Sequence, residues 1–177
     1  MTFFIILVTI IQTFAISLGT GASTLAIANF FVAIADGTID ETERKMMGIV
    51  YVVLRVAMVL ILVTTTLLIA PEYSAAGIAG LSAFTIGQIA VLLVLYTNAL
   101  LMTAHLIPTT FGPAIQAGSW YTLGTLTALQ ILGVTDFTLL EFFMGYITWV
   151  ILAIAIVNGT MAVMKAKREE RELQEQE

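Results

Sequence analysis

Arg55 has more chemistry to offer than any other residue in this chain. It stands alone as a charge within the apolar stretch Met46–Ala70. At 1.5 Å per helical residue it lies about 15 Å beyond Lys45. A guanidinium stays charged in any protein site and carries five N–H donors in a rigid fork. In apolar surroundings such a group has two uses. Its stem can lie along the apolar layer while its head snorkels to the headgroups. Alternatively it binds an anion, a lipid phosphate or the amide oxygens of Asn98 and Asn29. No carboxylate falls at comparable depth on any other apolar stretch. Tyr51, Met58, Leu62, Thr65 and Thr66 recur at helical spacing on its face.

The amides come next. Gln12, Ala15, Gly19, Ala22, Ser23, Ala26, Asn29 and Ala33 share one side of the first apolar stretch at helical spacing. Gln88, Val91, Leu95, Asn98, Met102 and His105 share one side of the third. Polar side chains inside a membrane turn toward the bundle interior, and small residues let helices approach closely. Two readings stand. One is a packing seam closed by helix-to-helix hydrogen bonds. The other is a narrow polar pathway lined by Arg55, Asn98, Asn29, Gln88 and Gln12. Gln116 beside Trp120 and Tyr121, with Gly118 and Gly124 nearby, marks a further candidate pocket on the fourth stretch, although belts of Trp and Tyr at the membrane surface are the ordinary alternative.

His105 is the one histidine. Imidazole can ligate haem iron or another metal, or relay a proton. Met102 one turn earlier would fall on the same side of a haem, so an axial partner would have to be Met58 or come from a second subunit. Otherwise His105 is a hydrogen-bonded residue near the end of its helix. The chain has no cysteine, which removes disulfides, thiolate metal sites and thiol nucleophiles. Asp36–Glu43 has the glycine and final glutamate of half a calcium loop, but Val32 and Ile34 occupy the first two ligand positions. A helix start, with Asp40 as N-cap and Glu43 three residues on, accounts for it better. There is no nucleophile–base–acid set and no glycine-rich phosphate loop.

The elements that must carry these residues are five apolar runs: Phe3–Ala35, Met46–Ala70, Leu81–Pro108, Phe111–Gly133 and Phe142–Met164. Each reaches the roughly 20 residues that a membrane-spanning helix needs. Of the 177 residues, 59% are hydrophobic and 11% charged, against about 25% charged in a soluble domain. A net charge of −5 argues against nucleic-acid partners. The expected fold is an all-α polytopic membrane protein of five transmembrane helices over 1–164, with a charged helical tail over 165–177. No cleavable leader is expected, because the first run has no basic flank and is too long.

Charge sets the expected threading. All seven basic residues fall at Arg44, Lys45, Arg55, Lys165, Lys167, Arg168 and Arg171. The loops after the second and fourth runs carry only acids: Glu72, Asp136 and Glu141. Basic residues stay on the cytoplasmic side, which places the C-terminus inside and the N-terminus outside. Pro71 is expected to end the second helix, and Gly19-Thr20-Gly21 is a point where the long first helix could break. Thr9-Ile10-Ile11-Gln12 and Thr85-Ile86-Gly87-Gln88 suggest a duplicated helical hairpin, with Gln12 on Gln88 and Tyr51 on Tyr121.

The hairpin layout and the stretch His105–Tyr121 resemble bacterial copper-resistance-D-like and cytochrome-b-like membrane proteins. The histidine pattern those families use for haem or metal is absent here, so the resemblance carries over no residue roles. Three functions follow from the residues. The first is a small transporter or channel, acting as a homo-oligomer. The second is a non-catalytic subunit that binds lipid or partner helices of a membrane complex. The third is a haem-bearing electron carrier.

Overall fold

The computed structural model describes residues 2–36, 40–108 and 111–174. Every regular element among them is helical: α1 (Thr2–Asp36), α2 (Glu41–Ala76), a single 3-10 turn (Ile78–Gly80), α3 (Ala83–Thr103), α4 (Gly112–Ile131) and α5 (Leu139–Gln174). Four of the five helices, α1, α2, α3 and α5, are long and apolar enough to cross a membrane. α4 is not among them, although it was expected to be a fifth apolar span. The reason lies in its position. α4 packs on α1, α3 and α5 at once, so it presents little surface to lipid and can carry hydroxyls. Ser119, Thr122, Thr125 and Thr127 each donate to the carbonyl four residues back, which satisfies them within the helix.

Local chemistry explains most helix ends. Asp40 caps α2, accepting from the Glu43 amide at 2.6 Å, while the Glu43 carboxylate accepts from the Asp40 amide at 3.0 Å. This is the expected capping box. The calcium half-loop reading rests partly on Gly37–Ile39, which lie outside the described residues. α2 does not stop at Pro71. It runs through the proline to Ala76 and ends at Gly77, whose φ of 65° glycine adopts without a Cβ penalty. Proline fits the helical φ and removes one hydrogen bond close to the end, so the stop comes from the glycine instead. Glu72 then binds the chain that follows. Its two oxygens accept from the Ser82 amide and the Thr85 hydroxyl, both at 2.6 Å, and so tie the end of α2 to the start of α3.

α1 is unbroken through Gly19-Thr20-Gly21. Gly19 serves a close approach. A Cβ there would sit 2.4 Å from the ring of Trp120, which is fully buried. Around this contact lie Ala15, Ile61, Val91, Leu95 and Leu123, all at zero exposure. The small-residue side of α1 is thus a packing seam over Gln12–Ser23. Setting Gln12 on Gln88 brings the buried positions of α1 and α3 into one register: Val8 with Phe84, Ala15 with Val91, Ile16 with Leu92 and Ala22 with Asn98. Setting Tyr51 on Tyr121 does not do the same for α2 and α4. α5 continues without a break into the charged tail, where Lys165 and Glu169 stand 3.9 Å apart.

Gly19→Ala should destabilise the bundle by about 1–3 kcal/mol through overpacking against Trp120. Gly21→Ala, where a Cβ meets nothing within 4 Å, should be neutral or better. Thermal melts of the two variants in one detergent check the difference. Equal melting temperatures would remove Gly19–Trp120 from the centre of the packing.

Candidate functional site

α2 and α3 are consecutive but pack little directly on each other among the described residues. They are held at one end by Glu72 and near the middle by Tyr96, whose hydroxyl donates to the Met58 carbonyl. This contact divides the space between the two helices. Toward the end bearing Arg44 and Lys45 lies a cavity of about 320 Å³, lined by Tyr51, Arg55, Met58, Met102, Thr103 and Gln116, among others. Toward the end bearing Glu72 lies an apolar cavity of about 530 Å³, lined by residues such as Leu62, Ile69, Leu92 and Leu93. The α2 face predicted to carry Arg55 therefore lines both halves of one cleft.

The polar wall of the smaller cavity is a buried amide pair. Asn98 Nδ2 donates to Gln116 Oε1 at 3.0 Å and to the Gly112 carbonyl at 2.9 Å, with Met102 Sδ at 3.4 Å. Gln116 Nε2 points at Met58 Sδ, 3.9 Å away. Gly112 makes this possible, because a Cβ there would meet Met102 Cγ at 2.7 Å. Among the described residues Asn98 Oδ1 is buried with no partner, and the amide is held through its donors. Arg55 is exposed on the α2 side of the cavity, and among the described residues it forms no ion pair.

The five predicted path residues do not form one group. Arg55 lines this cavity together with Gln116, to which the buried Asn98 donates. Gln12 is buried and donates to Thr65 Oγ1 at 3.0 Å, on the α1–α2 seam nearer the opposite end. Gln88 is buried on α3 at a similar remove, and Asn29 is half-buried near the end of α1. Ile61, Leu95 and Trp120, all fully buried, stand between the two polar levels.

His105 lies beyond the end of α3, not on its face. It is exposed, with φ of 55°, and the Leu106 amide reaches back to the Leu101 carbonyl at 2.9 Å. This is a left-handed C-terminal stop, filled by a histidine in place of the usual glycine. Met102 turns inward to Asn98 and Gly112, away from any shared ligand position with His105. Among the described residues no three His, Cys, Asp or Glu side chains gather to hold a metal. Trp120 and Tyr121 part company: Trp120 is core, while Tyr121 lines a cavity between α4 and α5.

Sequence reasoning placed Gln116 beside a pocket but did not pair it with Asn98. The signal was available, since an amide in an apolar helix requires a partner. The Tyr96–Met58 and Glu72–Thr85 contacts had no such signal. No family model matches the chain, and neither a curated protein nor a solved structure shows significant similarity to it.

His105→Gly should raise stability by up to about 1 kcal/mol, since glycine takes positive φ without a Cβ penalty. His105→Gln should leave the fold and the visible absorption spectrum unchanged. Melting curves and spectra of the purified variants check both. Loss of a bound metal or chromophore in His105→Gln would restore a ligand role.

Proposed function

We propose that this protein is a non-catalytic integral membrane subunit that binds an amphiphile with an anionic head group in the α2–α3 cleft, the head at Arg55. One observation carries the reading. A guanidinium with no ion-pair partner among the described residues lines a cavity whose other polar wall, Gln116, is fixed by Asn98. Leaving such a charge uncompensated in the apolar layer costs a few kcal/mol or more. A phosphate or carboxylate offsets that cost and matches the guanidinium fork. The apolar half of the same cleft offers a surface for the acyl chain. A solute route through one copy finds less support, because the fully buried layer at Ile61, Leu95 and Trp120 separates Arg55 and Asn98 from Gln12 and Gln88.

In this reading all five helices cross the membrane, with the N-terminus outside and the C-terminus in the cytoplasm. α4 crosses as the shielded helix, its 20 residues spanning about 30 Å. The amphiphile head then sits in the cytoplasmic half of the bundle, about 15 Å along α2 from Lys45, and enters from the leaflet where basic residues attract anionic lipids.

Two measurements test the proposal. Lipid retained through purification in mild detergent is quantified by mass spectrometry for the parent, Arg55→Lys and Arg55→Leu. Arg55→Lys should lose retained anionic lipid several-fold, because an ammonium lacks the fork, and Arg55→Leu should lose nearly all of it. Full retention by Arg55→Lys would reduce the arginine to a snorkelling residue. Reporter fusions after Glu177 and within the Gly77–Gly80 turn should report opposite sides, with Glu177 inside. Matching reports would overturn the five-crossing arrangement.

A further inference from the structure

α4 and α5 part toward the acidic end of the molecule and enclose a cavity of about 530 Å³. Five aromatic residues line it. Tyr121 and Trp149 meet edge to face, their ring centroids 6.2 Å apart. Phe137, Phe142 and Tyr146 form a column of nearly parallel rings, with interplanar angles of 18° and 14°. The polar tips of the lining residues are committed elsewhere. The Tyr121 hydroxyl bonds Thr24 Oγ1 at 2.8 Å, the Tyr146 hydroxyl bonds Ser119 Oγ at 2.8 Å, and Trp149 Nε1 donates to the Gly118 carbonyl at 3.0 Å. These bonds fix the Tyr121, Tyr146 and Trp149 rings in the cavity wall.

Glu141 is the charged residue of the lining. Its Oε2 is held by the Thr138 amide at 2.8 Å and the Thr138 hydroxyl at 2.9 Å, so the carboxylate is anchored at the rim. No lysine or arginine belongs to this lining, and none falls between Arg55 and Lys165 in the sequence. Asp136 and Glu72 add negative charge to the same end of the bundle.

From this geometry we propose that the α4–α5 cleft binds a lipophilic organic cation, an aryl- or alkyl-substituted ammonium or phosphonium. Ring quadrupoles attract a desolvated cation, with tryptophan the strongest of them, and the Glu141 carboxylate supplies the countercharge. A phosphate-bearing lipid would find no cation here to hold its head. A neutral sterol would make no use of the Glu141 charge at the rim. Gly145 leaves the space open: a Cβ at that position meets nothing within 4 Å. This site is distinct from the Arg55 cavity, in another cleft and of opposite charge.

The test uses the full chain in phosphatidylcholine nanodiscs with two ions of nearly the same shape, tetraphenylphosphonium and tetraphenylborate. Equilibrium binding above that of empty discs should saturate at one phosphonium per chain, with no saturable borate binding. Glu141→Gln retains the helix cap, since glutamine serves at that position, and should weaken phosphonium binding about three- to fivefold through loss of the countercharge. Gly145→Leu should fill the cleft and abolish binding. Arg55→Leu should leave phosphonium binding as it is, which keeps failure here separate from failure at the other site. Circular dichroism checks that each variant is folded, and Glu141→Gln decides alone if Gly145→Leu is not. Equal affinity for both ions, absence of a saturable component, or phosphonium binding unchanged in folded Glu141→Gln would overturn the proposal.

Discussion

The packing of Trp120 on Gly19 is the constraint on which the rest of this bundle depends. An indole is the largest side chain a helix can present, and here it is wholly buried. It fits only because α1 offers a position with no Cβ. Thr20 Oγ1 approaches the Trp120 carbonyl at 3.4 Å, and Gly124, one turn further along α4, faces Ile16 and Thr20. α1 and α4 are thereby drawn together, with α3 and α5 on the remaining sides of α4. A helix so enclosed need not be apolar. That is why α4 can carry Gln116 at the level where Asn98 awaits a partner, and Ser119 where the Tyr146 hydroxyl needs one. The same contact fills the middle of the bundle and separates the polar residues on either side of it.

The helical fold and its shielded faces could be read from the sequence because they follow from local rules. Run length gave the helices, and Asp40 with Glu43 gave a helix start that depends on four residues only. Spacing also gave the buried faces of α1 and α3, since Gln12, Ala15, Gly19 and Ala22 repeat at helical intervals. What could not be read depends on distance in the chain. Proline lacks a donor and so reads as a stop at Pro71, yet whether a helix survives the loss depends on where a better terminator stands, and Gly77 stands six residues on. His105 looked like a face residue because helical spacing continues through it. The left-handed turn that removes it is fixed by the Leu106–Leu101 bond, which no composition signals.

The candidate site was half visible for a related reason. Arg55 and Asn98 stood out because each breaks an apolar run. That Asn98 donates to Gln116, and that Gln116 lines the same cavity as Arg55, follows from the packing of α4 on α3. Gln12 and Gln88 stood out on the same grounds, and in the bundle they are buried on different helices. Gln12 has Thr65 as its partner. An amide in a membrane helix announces that it needs a partner, but not which helix supplies it or whether several amides share one path. Only the packing around Trp120 decides that.

The two clefts have a common origin. Consecutive antiparallel helices pack side by side where both present small residues, as α4 and α5 do at Gly118, where a Cβ would lie 3.5 Å from the Cβ of Ala153. They part where bulky side chains face each other. Between α4 and α5 the ring column from Phe137 to Tyr146 forces the separation, and Phe142 finds room by lying against Gly87 of α3. Between α2 and α3 two long side chains bridge the gap, Glu72 reaching Thr85 at one end and Tyr96 reaching the Met58 backbone in the middle. Each cleft has one charged residue in its lining, Arg55 in one and Glu141 in the other. The charges lie toward opposite ends: Arg55 faces the end that bears Arg44 and Lys45, and Glu141 the end whose charged residues are the acids Glu72, Asp136 and Glu141. The bundle closes neither gap with its own side chains, and each gap keeps one charged residue in its wall.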